Sequence, residues 1–582
     1  NNLPATHPYY TIYSTGATAD SIVLTNAGIA AARNLDKSAY SKIVNGQKVG
    51  FANPTTLTLL NGKINVYETL TGKLKATIHL PYKKDAFIVD TLNHYLATKN
   101  SLEAINVYYN DYVYPYDQFD LQLNRPDLVL AKLGRADSSL INNYYNAYKK
   151  RLKKLNLSEK SVNLSLHLPR VKLLNRYNIK SSTSAKDYTL DIECSDDKFN
   201  LQSVQVLVNN SPVLSVNGKN ISSLKTNKYN LQVTLPLAKG LNKVKVFCTN
   251  INGTTSLKET FNVLSTFVDT LVTAKIYFVG IGVANYKDSS MNLTYSVKDI
   301  RDLASDFATN FSRKTLVVDT LLNQNVTLEN IAKIKQRLLK TSPNDRVIVA
   351  VTGHGLLSDS LDFYYATYDV NFSKPEVRGL KYEFLEGLLN DVPAQEKIMF
   401  IDACHSGALD KDEILTIQKN KQTAVASKKE DAENVKGIAT RSSIKIKNKT
   451  AKVSANSSYE LMQNTFSDLS GSNGAIIVSA AGGMEYAFES REWNNGVFTY
   501  AIRNGLFQKE ADKQLNGDKD GKVTIEELLA YVNALVTNLT NGRQKPNSRK
   551  ENLCKTRLLF LTNYDTIHIY YSDACHIRHN VH

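Results

Sequence analysis

From residue 274 the chain alternates continuous apolar runs with amphipathic stretches, and this pattern leaves few folds open. KIYFVGIGV (275–283), TLVVD (315–319), RVIVAVT (346–352), KIMFI (397–401) and AIIVSA (475–480) are apolar over nearly their whole length. A strand that faces water on one side alternates apolar and polar residues, so an unbroken run demands cover on both faces. Between the runs, SVKDIRDLASDFATN (296–310), LENIAKIKQRLLK (328–340) and LKYEFLEGLLN (380–390) space their apolar residues as helices do. Such alternation predicts an α/β fold, a mostly parallel sheet between helical layers. Ligands of such sheets bind beyond the carboxyl ends of the strands.

Two of the runs end in reactive groups. RVIVAVT stops at Gly353-His354-Gly355, and KIMFI stops at Asp402-Ala403-Cys404-His405-Ser406-Gly407, with Cys404 fifty residues after His354. Parallel strands deliver both clusters to one edge. The flanking glycines predict close approach of a substrate backbone. A thiol attacks as thiolate, and an adjacent imidazole takes or balances its proton. The backbone N–H groups of Gly355 and Cys404 are candidates for stabilising an oxyanion, each such donor contributing ~3 kcal/mol. A lone cysteine at a strand end is commonly a small hydrophobe, but the pairing with a glycine-flanked histidine points to nucleophilic catalysis. The five cysteines (Cys194, Cys248, Cys404, Cys554 and Cys575) are too sparse and uneven for a disulfide framework or a zinc site.

TGHG and DACHSG, at this separation, resemble the catalytic motifs of the caspase-like cysteine peptidases, within them the metacaspase and bacterial orthocaspase branch. The resemblance spans 274–565 and includes YYATYDV (364–370) and PNSRKENL (546–553). It implies a caspase-like αβα sandwich, a His354–Cys404 dyad, and protein or peptide substrates, with no cofactor needed for the chemistry. His405 is read as a packing or structural neighbour. The family's branch that cleaves after Lys or Arg holds that side chain with acids. Carried over residue by residue, this S1 pocket falls on Ser296, Asp299, Thr352 and Asp402, with Glu485 as a weaker third acid. Ser296 and Tyr295 stand where the family commonly has Cys and Gly. Two acids in a concave, partly dry pocket select a cation. The implied function is a cysteine endopeptidase cleaving after Lys or Arg. The rival reading is a catalytically silent caspase-like scaffold that binds partners through its β domains.

Residues 408–473 form a flexible basic insertion poor in aromatics, where caspase-like enzymes join their large and small pieces. Its lysines and Arg441 match the expected specificity, so self-cleavage within 411–452 is one expectation and an uncut insertion the other. NGDKDGKVTIEE (516–527) fits a calcium-loop template through Asn516, Asp518, Asp520, Gly521, Lys522 (by its carbonyl) and Glu527. The alternative is a turn that caps the following helix without metal.

All-β segments precede the α/β region. In 1–132, Ile64-Asn65-Val66-Tyr67 recurs as Ile105-Asn106-Val107-Tyr108, a spacing that suits blades of a partial WD40-like β-propeller. Such a remnant serves either as a platform for protein partners or as structure alone. A helical linker is expected over 133–169. Short alternating strands over 170–266 suit an immunoglobulin-like β-sandwich, with Cys194 and Cys248 either disulfide-bonded across it or reduced in its core. The tail, 566–582, repeats DACH without an apolar strand before it and is read as coincidence. The net charge of +16 is spread widely, and no nucleic-acid-binding signature accompanies it, so it is read as solvated excess charge without a specific nucleic acid partner. No run of about eighteen apolar residues predicts a membrane span. The chain opens NNLPATHPYY without a methionine, which reads as a fragment or processed form. A cytoplasmic location is favoured, with periplasmic or secreted placement left open.

Overall fold

A computed structural model describes residues 10–13, 41–44, 47–50, 55–60, 63–68, 71–82, 85–97, 101–102, 105–109, 112–134, 136, 138–268, 273–358, 362–403, 438–440, 473–480, 487–514 and 517–549. The α/β region is built on one six-stranded sheet. Its strands are β1 (Ile276–Gly282), β2 (Leu316–Leu322), β3 (Arg346–Thr352), β4 (Glu396–Asp402), β5 (Ala475–Ser479) and β6 (Asn547–Arg549). The spatial order is β2-β1-β3-β4-β5-β6, parallel except for the antiparallel edge strand β6.

Alternation along β3 and β4 explains why their sequences are apolar throughout. Val347, Val349, Val351, Met399 and Ile401 pack on one face with helix α2 (Leu328–Leu338), through its Ile331, Ile334 and Leu338. Ile348, Ala350, Ile398 and Phe400 pack on the other face. There they meet α1 (Ser296–Asn310), α3 (Val497–Leu506) and, beyond the short helix α4 (Glu510–Lys513), α5 (Ile525–Leu539). Each fully buried aliphatic or aromatic side chain contributes about 1.5–3 kcal/mol relative to exposure. Helix α1 lies unusually close to β1. A Cβ at Gly280 would stand 2.3 Å from Ile300, and one at Gly282 would stand 2.9 Å from it. The two glycines therefore set the depth at which α1 seats.

Two further sheets enclose a second core that contains Cys194 and Cys248. One holds Arg170–Leu173, Tyr188–Ser195 and Lys228–Leu235, and the other is centred on Leu201–Val208, Gly240–Asn250 and Glu259–Ser265. Both cysteines are free thiols. A hydrogen bond with Cys248, together with burial, pushes the Cys194 thiol far up, so it stays protonated.

A helix, Ser138–Lys154, precedes this sandwich. Nearer the amino end, a six-stranded antiparallel sheet includes Lys63–Glu68, whereas Asn106–Tyr109 pairs, among the described residues, with Tyr112–Pro115 in a separate two-stranded sheet. The two copies of the Ile-Asn-Val-Tyr echo thus occupy different settings.

The sandwich docks on the amino edge of the parallel sheet. Lys397, at the start of β4, donates to Ser211 Oγ at 2.9 Å and to the carbonyls of Val392 and Ala394. Asn209 donates to Gln395 Oε1, Val216 N to Asp391, and Lys239 N to Asn344. Within the basic insertion, Ile438–Thr440 is a strand paired with Phe488–Ser490. No helix among the described residues is long and apolar enough to cross a membrane.

Candidate active site

In-register pairing brings Gly282, Thr352 and Asp402 side by side at the carboxyl edge, Gly282 opposite Thr352 and Thr352 opposite Asp402. His354 follows β3 by two residues and is 2% exposed. Its imidazole is walled by Tyr286 and Phe372, with ring centroids 5.2 and 5.8 Å away. The Nε2 atom lies 2.9 Å from the carbonyl oxygen of Met291. A carbonyl only accepts, so Nε2 carries a proton and donates in this contact. The backbone N–H of His354 donates to the Tyr286 hydroxyl at 2.9 Å, and its carbonyl accepts from Ala366 N. The histidine is therefore fixed both at its main chain and at one ring nitrogen.

The two glycines around it make room for the protein itself. A Cβ at Gly353, whose φ is +153°, would stand 2.9 Å from the Tyr286 hydroxyl and 3.1 Å from the Tyr365 ring. One at Gly355 would stand 2.6 Å from Phe363 and 2.7 Å from the carbonyl oxygen of Ala403. The expected approach of a substrate backbone is thus matched by approach of the chain's own strand end. The Gly355 loop packs against the last described residue after β4. Cys404 is the next residue and lies outside the described residues, as do His405, Arg441, Glu485 and Asn516.

Four predicted pocket residues come together. Thr352 Oγ1 donates to the Ser296 carbonyl at 2.7 Å. The Ser296 hydroxyl oxygen is buried without a hydrogen-bond partner among the described residues. Asp299, one turn along α1, is wholly buried. It accepts from Asn495 Nδ2 at 2.9 Å and from Gly496 N at 3.1 Å. Asp402 is 2% exposed and accepts a long hydrogen bond, 3.5 Å, from Thr499 on α3.

Behind them, Arg503 of α3 binds Asp302 and Asp306 of α1 and the Asn495 side-chain oxygen. The hydrogen bond to Asp306 leads in raising the guanidinium's pKa; burial opposes it, and the charges of Asp306, Asp302 and Asp299 add to the rise. Tyr286, Met291, Phe372, Asn495 and Thr499 were not legible as site residues. Tyr286 and Met291 lie in the loop after β1, VANYKDSSM, at the same carboxyl edge, which is the signal that was there to follow.

The 516–527 loop is present in part. Glu527 accepts from Asp518 N, Thr524 N and Thr524 Oγ1 and completes a capping box on α5. Its carboxylate is spent on closing the loop and starting the helix. Asp518 and Asp520 each accept a backbone N–H two residues on, from Asp520 and Lys522.

Residues 279–557 match the family model of the peptidase C14 caspase domain. A crystal structure of a Geobacter sulfurreducens protein is similar at 15% identity, covering 47% of this chain and 92% of that one, with a TM-score of 0.30. The fibronectin(III)-like modules of Clostridium thermocellum CbhA are similar at 15% identity, covering 17% of this chain and 47% of theirs, with a TM-score of 0.14. No curated protein matches the chain.

Proposed function

We propose that this chain is a cysteine endopeptidase that cleaves after Lys or Arg, a reading supported by the match of residues 279–557 to the C14 caspase domain. The observation that carries the reading is the His354 ring, held through Nε2 on the Met291 carbonyl, in a loop whose Gly355 packs against the strand end that leads into Cys404. In this mechanism Cys404 loses its proton to Nδ1 and its sulfur attacks the scissile carbonyl. The N–H groups of Gly355 and Cys404 hold the oxyanion. His354 then protonates the leaving amine, and water attacks the acyl-enzyme with His354 as base. Tyr286 and the Met291 carbonyl act as positioning groups, Tyr286 holding the His354 main chain and the carbonyl holding Nε2 of its ring.

For the P1 cation, both Asp299 oxygens accept from Asn495 and Gly496. Asp299 then contributes its charge and orients Asn495, while Asp402 makes the direct contact, with Ser296, Thr352 and Glu485 shaping the pocket. Cleavage of the basic insertion within 411–452 would follow from the same specificity. No cofactor enters the chemistry. The metacaspase branch, and a propeller-like platform for partners in 1–132, belong to the same proposal.

Wild-type and Cys404→Ala protein, given fluorogenic peptides ending in Arg, Lys or Asp, test the reading. Arg and Lys peptides are turned over by the wild type and not by the variant, and a gel resolves fragments cut near 411–452. Turnover of Asp peptides alone would sink the pocket assignment. Absence of turnover from all three would favour the silent scaffold.

A further inference from the structure

The acid cluster at the foot of α5 includes a residue that the calcium-loop template does not contain. We propose that Asp512, Asp518 and Asp520 bind one divalent cation, calcium, with Asp512 from α4 taking the place that the sequence template gives to Glu527. One carboxylate oxygen of each of the three lies within 4.8 Å of the others. Asp518 and Asp520 are exposed, but Asp512 is only 4% exposed. Its Oδ2 accepts from Gly521 N at 3.1 Å, and its Oδ1 is buried with no hydrogen-bond partner among the described residues. A buried carboxylate oxygen without a donor is costly, and two neighbouring anions add to the cost. A cation at the junction of the three removes both penalties at once.

The surroundings keep the cluster in place without neutralising it. Gly517 permits the close approach: a Cβ there would stand 1.9 Å from the Asp512 carbonyl oxygen, so only glycine lets the loop pass against α4 and bring Asp518 to Asp512. Gly521, at φ +81°, turns the chain back toward α5. The nearby ammonium of Lys509 donates to the Gly521 carbonyl. Glu527 is committed to the loop's own N–H groups and to the helix cap. Oxygen-only donors of this kind select a hard cation. A curved loop of carboxylates, carbonyls and water suits the larger, more irregular shell of calcium better than the strict octahedron of magnesium.

The test is calorimetric and does not read peptidase activity, so it is independent of the proposed function. The full chain, stripped with chelator, is titrated with calcium chloride and separately with magnesium chloride, and its thermal midpoint is followed. One calcium ion binds, with a dissociation constant of about 10⁻⁵–10⁻³ M for a site with two exposed ligands, and the midpoint rises. Magnesium binds at least about tenfold more weakly. Asp512→Asn and Asp520→Asn each weaken calcium binding about tenfold or more, whereas Asp197→Asn on the sandwich leaves it unchanged. If Asp512→Asn does not fold, the exposed Asp520→Asn decides alone. The proposal is overturned if neither heat nor a midpoint shift accompanies calcium up to about 5 mM, if magnesium binds as tightly, or if Asp520→Asn or a folded Asp512→Asn binds like wild type. It is also overturned if Glu527→Gln abolishes binding that Asp512→Asn retains, since the twelve-residue template would then be the site.

Discussion

The parallel sheet has two edges, and they are finished in opposite ways. At the amino edge, β3 and β4 begin with Arg346 paired to Glu396 and with Lys397 sunk against the sandwich. Every donor of Lys397 there is met by an oxygen, and the contacts join two domains. At the carboxyl edge the same strands end in Thr352 and Asp402, and β3 opens into a glycine-bounded loop that carries His354. One pair of strands is thus an anchor at one end and, in the proposed function, a chemical scaffold at the other. Substitutions should divide accordingly, costing stability at the first edge and turnover at the second.

The sharpest way to break this contrast is at Gly355. Gly355→Val would drive a branched side chain into Phe363 and the Ala403 carbonyl. The oxyanion donor and the strand end leading into Cys404 would shift together, and kcat/KM should fall about a hundredfold or more, roughly 3 kcal/mol. A melting point that collapses in step with activity would show that this edge is structural as well.

The opposite edge is probed by pH. Burial, with a smaller contribution from the charge of Lys335, lowers the Lys397 pKa from 10.5 to about 7, while Asp391 opposes the shift. Unfolded, the amine holds its proton up to about pH 10.5; folded, it releases it near 7. Between those values the unfolded chain binds the extra proton, so stability rises with pH. Below 7 the charged amine is buried at full cost. Lys335, lowered to about 8 mainly by burial, adds a slope of the same sign. Lys397→Met should flatten the rise in denaturant midpoint above about pH 7, removing on the order of 2 kcal/mol between about pH 7 and 8.5, with kcat per folded molecule unchanged. An unaltered slope would refute the buried-amine account.

The smallest effect is expected at Tyr286. Tyr286→Phe removes the acceptor for the His354 N–H. Leaving that buried donor unmet costs about 1–2 kcal/mol, read as roughly a tenfold loss of kcat with KM little changed. A larger drop in thermal stability than in kcat would move Tyr286 from positioning to packing.

The sequence made the sheet legible because residues such as Val349, Met399 and Ile401 are apolar wherever two helical layers must be separated. It singled out His354 and Cys404 as candidates because polar residues stop those runs abruptly. The rest of the site depends on pairs far apart in the chain, which leave no local pattern. Asn495 meets Asp299, and Thr499 meets Asp402, from about a hundred residues or more away. Asp512 lies four residues before the template that it joins, so a motif read at fixed offsets passes it by. The glycines around His354 were legible as constraints, and the structure adds crowding partners from the same chain, Phe363, Tyr365 and Ala403.

The Met291 carbonyl that holds His354 belongs to the main chain rather than to a side chain. The carbonyl survives any substitution at 291 that keeps the turn, even though the Met291 side chain itself packs against the core. Part of the proposed catalytic apparatus is written in the path of the backbone rather than in the alphabet of side chains. Changing its strength requires altering the peptide linkage itself, as an amide-to-ester replacement does, and its presence in distant relatives is a matter of superposed loops rather than of matching letters.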